Sequence, residues 1–299
     1  MRILCLHGKG TSGSIFRSQT AALRTRLDES FVFDFVDAPF RSTTAPGVDT
    51  LFGADSGAFS WWPEDTAQAI RAAHRWLDDY LAAHGPYDAL MGFSQGCLLI
   101  ASYLMYRARE GTAAATAATA ATAAAPAPLP FRGAIFVCGG VSFTSLADLG
   151  VPIPARAAAI ERQSVQALHQ RTRQFQALAA QPDQIQRGVG LWDDTSNLVH
   201  DPSGALPTDP HDVFGLDFAS PSFPADLFLP LPTVHVYGRR DPRFPSAIQL
   251  AHFCPVRAMY DHGGGHEIPR TTDVSVRIAG LITQLARDIG SIGAGSGGK

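Results

Sequence analysis

The string Gly92-Phe93-Ser94-Gln95-Gly96 places a serine hydroxyl between two glycines, each two positions away. A nucleophilic serine needs a turn so sharp that its hydroxyl stands clear of the chain. Glycines at those positions remove side chains that would collide with neighbouring elements. With 28 glycines in the chain, the pattern alone is weak. Its surroundings strengthen it: residues 89–93 read as a buried strand and 95–109 as a helix, the strand–turn–helix order such a serine requires. The helix N-terminus then turns N–H groups and a positive dipole end toward developing negative charge.

Serine chemistry needs a base, and the base needs an orienting carboxylate. Where the serine sits on such a strand–turn–helix, the chain order is serine, acid, histidine. Asp241 follows the strand-like run 233–237 in Gly238-Arg239-Arg240-Asp241-Pro242, and His266 ends the glycine loop Asp261-His262-Gly263-Gly264-Gly265-His266 after the next strand. Asp241 is therefore expected to orient and His266 to act as general base. His262 is the nearest competitor for the base. Asp209, Asp212 and Asp217 lie away from any expected strand end and read as solvated loop acids, and His235 as a core histidine within a strand.

The first strand runs into Leu6-His7-Gly8-Lys9-Gly10-Thr11-Ser12-Gly13. A glycine-rich loop there is expected to bring the Lys9 backbone N–H toward the serine, with the Gln95 N–H as second oxyanion donor. The alternative is an ordinary tight turn. The loop fits neither a phosphate-binding G-x-x-x-x-G-K-[ST] pattern nor a dinucleotide fingerprint. Trp61 and Trp62 precede a helix; they either line an acyl pocket or pin their loop to the core.

These residues need a scaffold, and the chain alternates short apolar runs with helical patterns. Strands are expected at 2–6, 31–36, 89–93, 134–138, 233–237 and 256–260, and helices at 15–27, 65–84, 95–109, 246–253 and 272–288. That alternation predicts a mostly parallel sheet of about six strands flanked by helices. His74 and His84 fall on a helix and are expected to face solvent. One domain is expected over 1–289, with a 290–299 Gly/Ser-rich disordered tail. Within it, 111–130 is an Ala/Thr/Pro low-complexity insert. The 151–232 stretch, whose first part 156–181 reads as a helix, is too long for a simple crossover and is expected either to cover the pocket or to wander over the surface.

Composition narrows the partners. Twenty-four Lys+Arg against 27 Asp+Glu give a formal charge of −3, leaving no basic excess for nucleic acid. No apolar run approaches the ~20 residues of a membrane span. The apolar run at residue 3 leaves no room for a signal peptide. Cys5, Cys97, Cys138 and Cys254 are far apart and read as core residues in a reducing, cytoplasmic setting. No metal-ligand spacing is present, and the chemistry requires no metal or cofactor. The sequence does not fix the oligomeric state.

Taken together, L-C-L-H-G (4–8), V-D-A-P (36–39), G-P-Y-D-A-L-M-G-F-S-Q-G (85–96), H-V-Y-G-R-R-D-P (235–242) and G-G-G-H-E-I-P-R (263–270) resemble the fungal serine hydrolase family of α/β-hydrolases. The Ala/Thr insert departs from that pattern. The resemblance implies an α/β-hydrolase fold and a carboxyl-ester or thioester hydrolase with Ser94, Asp241 and His266 as its triad. V-F-G-L-D-F (213–218) and F-P-A-D-L-F-L-P (223–230) are similar to the polyketide-pathway branch of lovastatin-thioesterase type. That branch implies release of a polyketide acyl chain from a synthase carrier protein. Arg156, Arg162, Arg171, Arg173 and Arg187 then offer either a docking face for an acidic carrier or simply a solvated helix face. Alternative activities are a general carboxylesterase, or an acyltransferase or cyclising releaser. A non-catalytic binding protein is disfavoured because no triad member is missing.

Overall fold

The computed structural model describes residues 1–45, 48, 57–117, 129–180 and 190–295. The middle of the low-complexity insert and the last four residues, both read above as irregular, lie outside that set, as does Arg187.

In chain order the elements begin with β1 (Arg2–Leu6), α1 (Gly13–Gln19), α2 (Ala21–Arg24), β2 (Val32–Val36), β3 (Phe40–Arg41) and β4 (Phe59–Ser60). Then come α3 (Ala67–His84), β5 (Ala89–Phe93), α4 (Gln95–Ala117), β6 (Gly133–Val137), α5 (Phe143–Asp148) and α6 (Ala155–Ala180). A 3₁₀ turn at Ala225–Leu227, β7 (Thr233–Tyr237), α7 (Phe244–His252), β8 (Arg257–Asp261) and α8 (Thr272–Gly295) complete the series. Six strands form one parallel sheet in the order β2-β1-β5-β6-β7-β8. The chain leaves β1 toward one edge and, from β5 onward, builds toward the other. That reversal puts the carboxyl ends of β1 and β5 side by side, the place where ligands bind in open parallel sheets.

Alternation along the strands explains the two-sided core. Ile3, Cys5, Ala89 and Met91 point to the face covered by α1 and α8, where Phe16, Ile278 and Ile282 meet them. Leu4, Leu6 and Leu90 point to the opposite face and pack with α3, α4 and α7. A strand buried on both faces has no polar side to show, which is why these runs are continuously apolar.

Most strand and helix expectations match within a residue or two, and the differences have local causes. The expected helix 15–27 is two pieces. Thr20 breaks it where its Oγ1 donates back to Phe16 O at 2.9 Å. Helix α4 runs eight residues past 109 to Ala117, into the Ala-rich insert, and α8 continues to Gly295, into the glycine-rich end. Helix α5, capped by Ser142 Oγ accepting from Ser145 N, is too short to register as a periodicity.

His74 corrects a prediction. It is buried rather than solvent-facing: Nε2 lies 2.8 Å from Ser102 Oγ, and the ring meets Tyr103 and Tyr106 edge-on. Helix α3 packs so broadly on α4 that its buried face takes in one more position. His84, at the end of α3, is exposed. His235 is buried in β7 against Thr233 Oγ1 at 3.0 Å. All four cysteines are buried and unpaired. Among the described residues, no helix is long and apolar enough to cross a membrane.

Candidate active site

The turn after β5 is as sharp as the sequence required. Ser94 adopts φ 51°, a left-handed conformation that costs a non-glycine residue about 1–3 kcal/mol and persists only where its surroundings enforce it. They do so here. The Ser94 N–H donates to Val137 O at 3.2 Å, and Cys97 N donates to Ser94 O at 3.0 Å as α4 begins. A Cβ on Gly92 would lie 2.6 Å from Cys97 N, and one on Gly96 would collide with Leu6 O. Both glycines are therefore required by close approach.

His266 Nε2 lies 2.9 Å from Ser94 Oγ, and His266 Nδ1 lies 2.8 Å from Asp241 Oδ2. With Nδ1 donating its hydrogen to the carboxylate, Nε2 is left as the acceptor for the serine hydroxyl. Asp241 is fully buried, and its other oxygen accepts from the Arg243 N–H at 2.7 Å. A buried carboxylate needs its lone pairs filled in this way. Ser94, His266 and Asp241 thus form one hydrogen-bonded line at the carboxyl edge of the sheet. Phe93 flanks the imidazole, ring centroids 5.3 Å apart.

His262 does not join that line. Its Nδ1 accepts from Gly264 N at 3.1 Å, and its Nε2 lies 3.8 Å from Cys138 Sγ. Burial pushes its pKa down. The insertion acids are occupied elsewhere: Asp212 pairs with Arg156, Asp217 with His211, and Asp209 Oδ1 accepts from His211 N.

The glycine-rich loop after β1 passes directly over the serine, since a Cβ on Gly8 would sit 3.4 Å from Ser94 Cβ. Lys9 and Gln95 both line the cavity around Ser94. Neither backbone N–H has a protein acceptor among the described residues, so both remain available to a bound oxygen. The loop is held from below by neutral His7. Nδ1 lies 2.7 Å from Gly8 O and donates to it, while Nε2 accepts from Ala38 N at 3.0 Å. Burial lowers the His7 pKa and so favours this neutral form.

The tryptophan pair divides. Trp62 lines the cavity. Trp61 is fully buried, donates from its indole to His7 O at 2.8 Å, and packs against His7 and Trp76. It pins the loop after β1 through His7 and is not among the residues that line the cavity. The Gln95 side chain joins the same anchorage, its Oε1 accepting from Trp61 N at 3.1 Å.

The cavity measures about 810 Å³, and α6 forms one wall. Val165, Leu168, Thr172 and Phe175 fall three, four and three residues apart, so a single helical stripe faces the serine. That spacing was readable in the sequence; its destination was not. Arg243 also escaped sequence reasoning. Its amide caps Asp241 and its guanidinium forks onto Glu161 at 2.8 and 2.9 Å and reaches Ser164 Oγ at 2.7 Å, both on α6. The available signal was Asp241-Pro242-Arg243, since an aspartate commonly accepts from the amide two residues on.

Among the described residues, one group has metal-ligand chemistry: Cys138, Asp241 and His266, with ligand atoms within 4.8 Å of one another. Two of its members are committed to the Ser–His–Asp line, and a metal there would break it.

A doubly covered parallel sheet, a serine on the strained turn after a central strand, and an imidazole bridging that serine to a buried aspartate define a hydrolase of the α/β type. The chain belongs to the serine hydrolase (FSH1) family, which it matches over residues 1–278. It is 27% identical to the protein named Esterase FPY3 of Fusarium mangiferae, over 90% of this chain and 89% of that one. It is 28% identical to Esterase alnB of Emericella nidulans, over 91% and 92% of the two chains. Among solved structures, SOBER1 of Arabidopsis thaliana aligns over 96% of this chain and 99% of its own, with 16% identity and a TM-score of 0.44.

Proposed function

We propose that this hydrolase cleaves a carboxylic thioester or ester through an acyl-serine intermediate, with Ser94 as nucleophile, His266 as general base and Asp241 as orienter. The observation that supports it most is the pair of contacts at His266, 2.9 Å to Ser94 and 2.8 Å to Asp241. His266 takes the Ser94 proton as Oγ attacks the carbonyl carbon. The oxyanion draws on the Lys9 and Gln95 amides. The C–S or C–O bond breaks as His266 returns the proton to the leaving thiol or alcohol. Water, deprotonated by the same imidazole, then releases the acid.

The substrate we infer is a bulky acyl chain, of polyketide type, released from a synthase carrier protein in the cytoplasm. A cavity of about 810 Å³ lined by Leu98, Val165, Leu168 and Phe175 suits a large acyl group better than a small one. Buried, unpaired cysteines suit a reducing compartment. In this reading the 151–232 stretch is the cover of the pocket. The arginine face of α6 offers less for carrier docking than its count suggests: Arg156 and Arg171 already pair with Asp212 and Asp194. Both relatives are named esterases, which favours a second reading, a carboxylesterase acting on oxygen esters.

The test is a panel of acyl esters and thioesters with products identified by mass. Ser94→Ala is expected to lower turnover by on the order of 10⁶, as loss of a triad nucleophile does elsewhere. Near-normal turnover in that variant would overturn the assignment. Thioester products from long acyl chains support the first reading; turnover confined to small oxygen esters supports the second.

A further inference from the structure

The Lys9 N–H shares its peptide unit with the Gly8 carbonyl. That unit is trans, so whatever fixes the carbonyl aims the N–H in the opposite direction. Two donors fix it. Thr11 Oγ1 donates to Gly8 O at 2.7 Å, and His7 Nδ1 meets the same oxygen at 2.7 Å. Both lone pairs of the carbonyl are then filled. Hydrogen bonds at that end also polarise the peptide and strengthen its N–H as a donor. The N–H itself has no acceptor among the described residues.

The second amide, that of Gln95, stands at the start of α4, and one short stretch of chain reaches both. Gly10 N donates to Phe59 O and Phe59 N to Thr11 O, each at 2.8 Å, so the glycine loop is stitched to the Phe59 backbone. One residue on, Ser60 Oγ accepts from Gln95 Nε2 at 3.1 Å, and Trp61 N donates to Gln95 Oε1 at 3.1 Å. Trp61 then returns to the loop, its indole donating to His7 O at 2.8 Å. Residues 59–61 therefore bind the loop that carries one amide and the side chain of the residue that carries the other. Thr11, Ser60, Trp61 and Gln95 are all buried, so water does not substitute for these bonds when one is cut.

We propose that Thr11 and Trp61 are positioning residues for the chemical step: Thr11 aims the Lys9 amide through the Gly8 carbonyl, and Trp61, with Ser60, fixes that amide relative to the Gln95 amide. This deepens the acyl-serine reading above and rests on it. As Ser94 Oγ bonds to the carbonyl carbon, the carbonyl electron pair moves onto oxygen and the serine proton passes to His266. The oxygen shifts as it gains charge. Donors held rigidly at its final place favour the transition state over bound substrate, so loss of the frame acts on kcat and leaves KM.

The experiment measures kcat and KM for p-nitrophenyl butyrate, per active site titrated with a fluorophosphonate so that unfolded protein drops out. It adds Ki for trifluoromethyl propyl ketone, whose serine hemiketal carries an oxyanion like that of the intermediate. Thr11→Val removes the hydroxyl at constant shape. Trp61→Phe removes the indole N–H from a residue outside the cavity lining. Each is expected to lower kcat about ten- to hundredfold, with KM little changed and Ki raised in proportion. Thr11→Ser keeps the hydroxyl and should recover most of kcat, a rescue that a packing role would not give. Gln95→Met keeps its own N–H but cuts the frame from the other side, and combined with Trp61→Phe it should cost little more than either alone. A raised KM at constant kcat, a loss in Thr11→Ser equal to that in Thr11→Val, or kcat changed less than threefold throughout overturns the proposal and leaves the hydrolase reading intact. A wild-type chain that neither reacts with the fluorophosphonate nor turns over the ester takes down both.

Discussion

Arg243 holds Asp241 with its backbone, the amide donating to Oδ1 at 2.7 Å, while its guanidinium grips Glu161 on α6. One residue therefore fixes the aspartate that orients His266 and ties down the helix that walls the cavity. The side chains of this pair are only 12% and 23% exposed, so removing one partner leaves a poorly solvated charge behind. Arg243→Met keeps the amide and deletes the fork. It is expected to raise KM for long acyl substrates several-fold while changing turnover of p-nitrophenyl acetate little. Steady-state kinetics on the two substrates checks this, and equal losses on both would contradict it.

Asp241→Asn reverses the hydrogen-bond sense at His266. The Asn oxygen can still accept from Arg243 N, which leaves its NH₂ facing Nδ1. The imidazole must then carry its hydrogen on Nε2 and cannot accept from Ser94. Turnover is expected to fall by about 10⁴, as the same exchange does in a protease triad. The melting temperature should change little. A variant with a tenfold loss or less would show that the aspartate does not set the tautomer.

Glycine substitutions should separate close approach from chain entropy. A Cβ at Gly96 would collide with Leu6 O, and Gly96→Ala is expected to cost more than about 2 kcal/mol of stability and abolish activity. Gly280 is an exposed glycine within α8 with open space around it. Gly280→Ala there should stabilise the fold by about 0.5–1 kcal/mol. Urea unfolding of the two variants gives both signs.

Acid should weaken the fold through its buried histidines. Burial lowers His74 to about 4, aided by Arg71 and Arg75, and His235 to about 3, aided by Arg257. Each is neutral in the folded chain, while its unfolded counterpart takes a proton near pH 6.5. The unfolded state therefore binds more protons below that point. Stability should be full above pH about 6.5 and decline as pH falls toward 4, with His235 extending the loss toward 3. Urea midpoints between pH 7.5 and 5 measure the slope, and His74→Gln should flatten it.

The arrangement around Ser94 was legible because each residue sits at a strand end, where short-range pattern and topology coincide. Asp241 and His266 follow consecutive apolar runs, and parallel strands carry both to the edge where Ser94 emerges. What escaped depends on contacts between remote segments. Nothing near Trp61 announces that its indole would reach back to His7 O, 54 residues earlier, while Trp62 faces the cavity. His74 carries an ordinary surface-helix neighbourhood, and only the breadth of the α3–α4 contact buries it. The stripe on α6 shows that the helix buries a face, but a period of 3.6 does not say against what.

The glycine run before His266 is more than slack in a loop. A Cβ on Gly265 would collide with the Trp192 indole, so a large aromatic ring from the 190–200 segment is seated directly on backbone beside His266. The glycine loop and the Trp192 segment are therefore matched parts, like a key and its ward. An exchange of the 151–232 stretch with that of a relative should fail unless residues 262–267 travel with it, and divergence in one will leave its trace in the other.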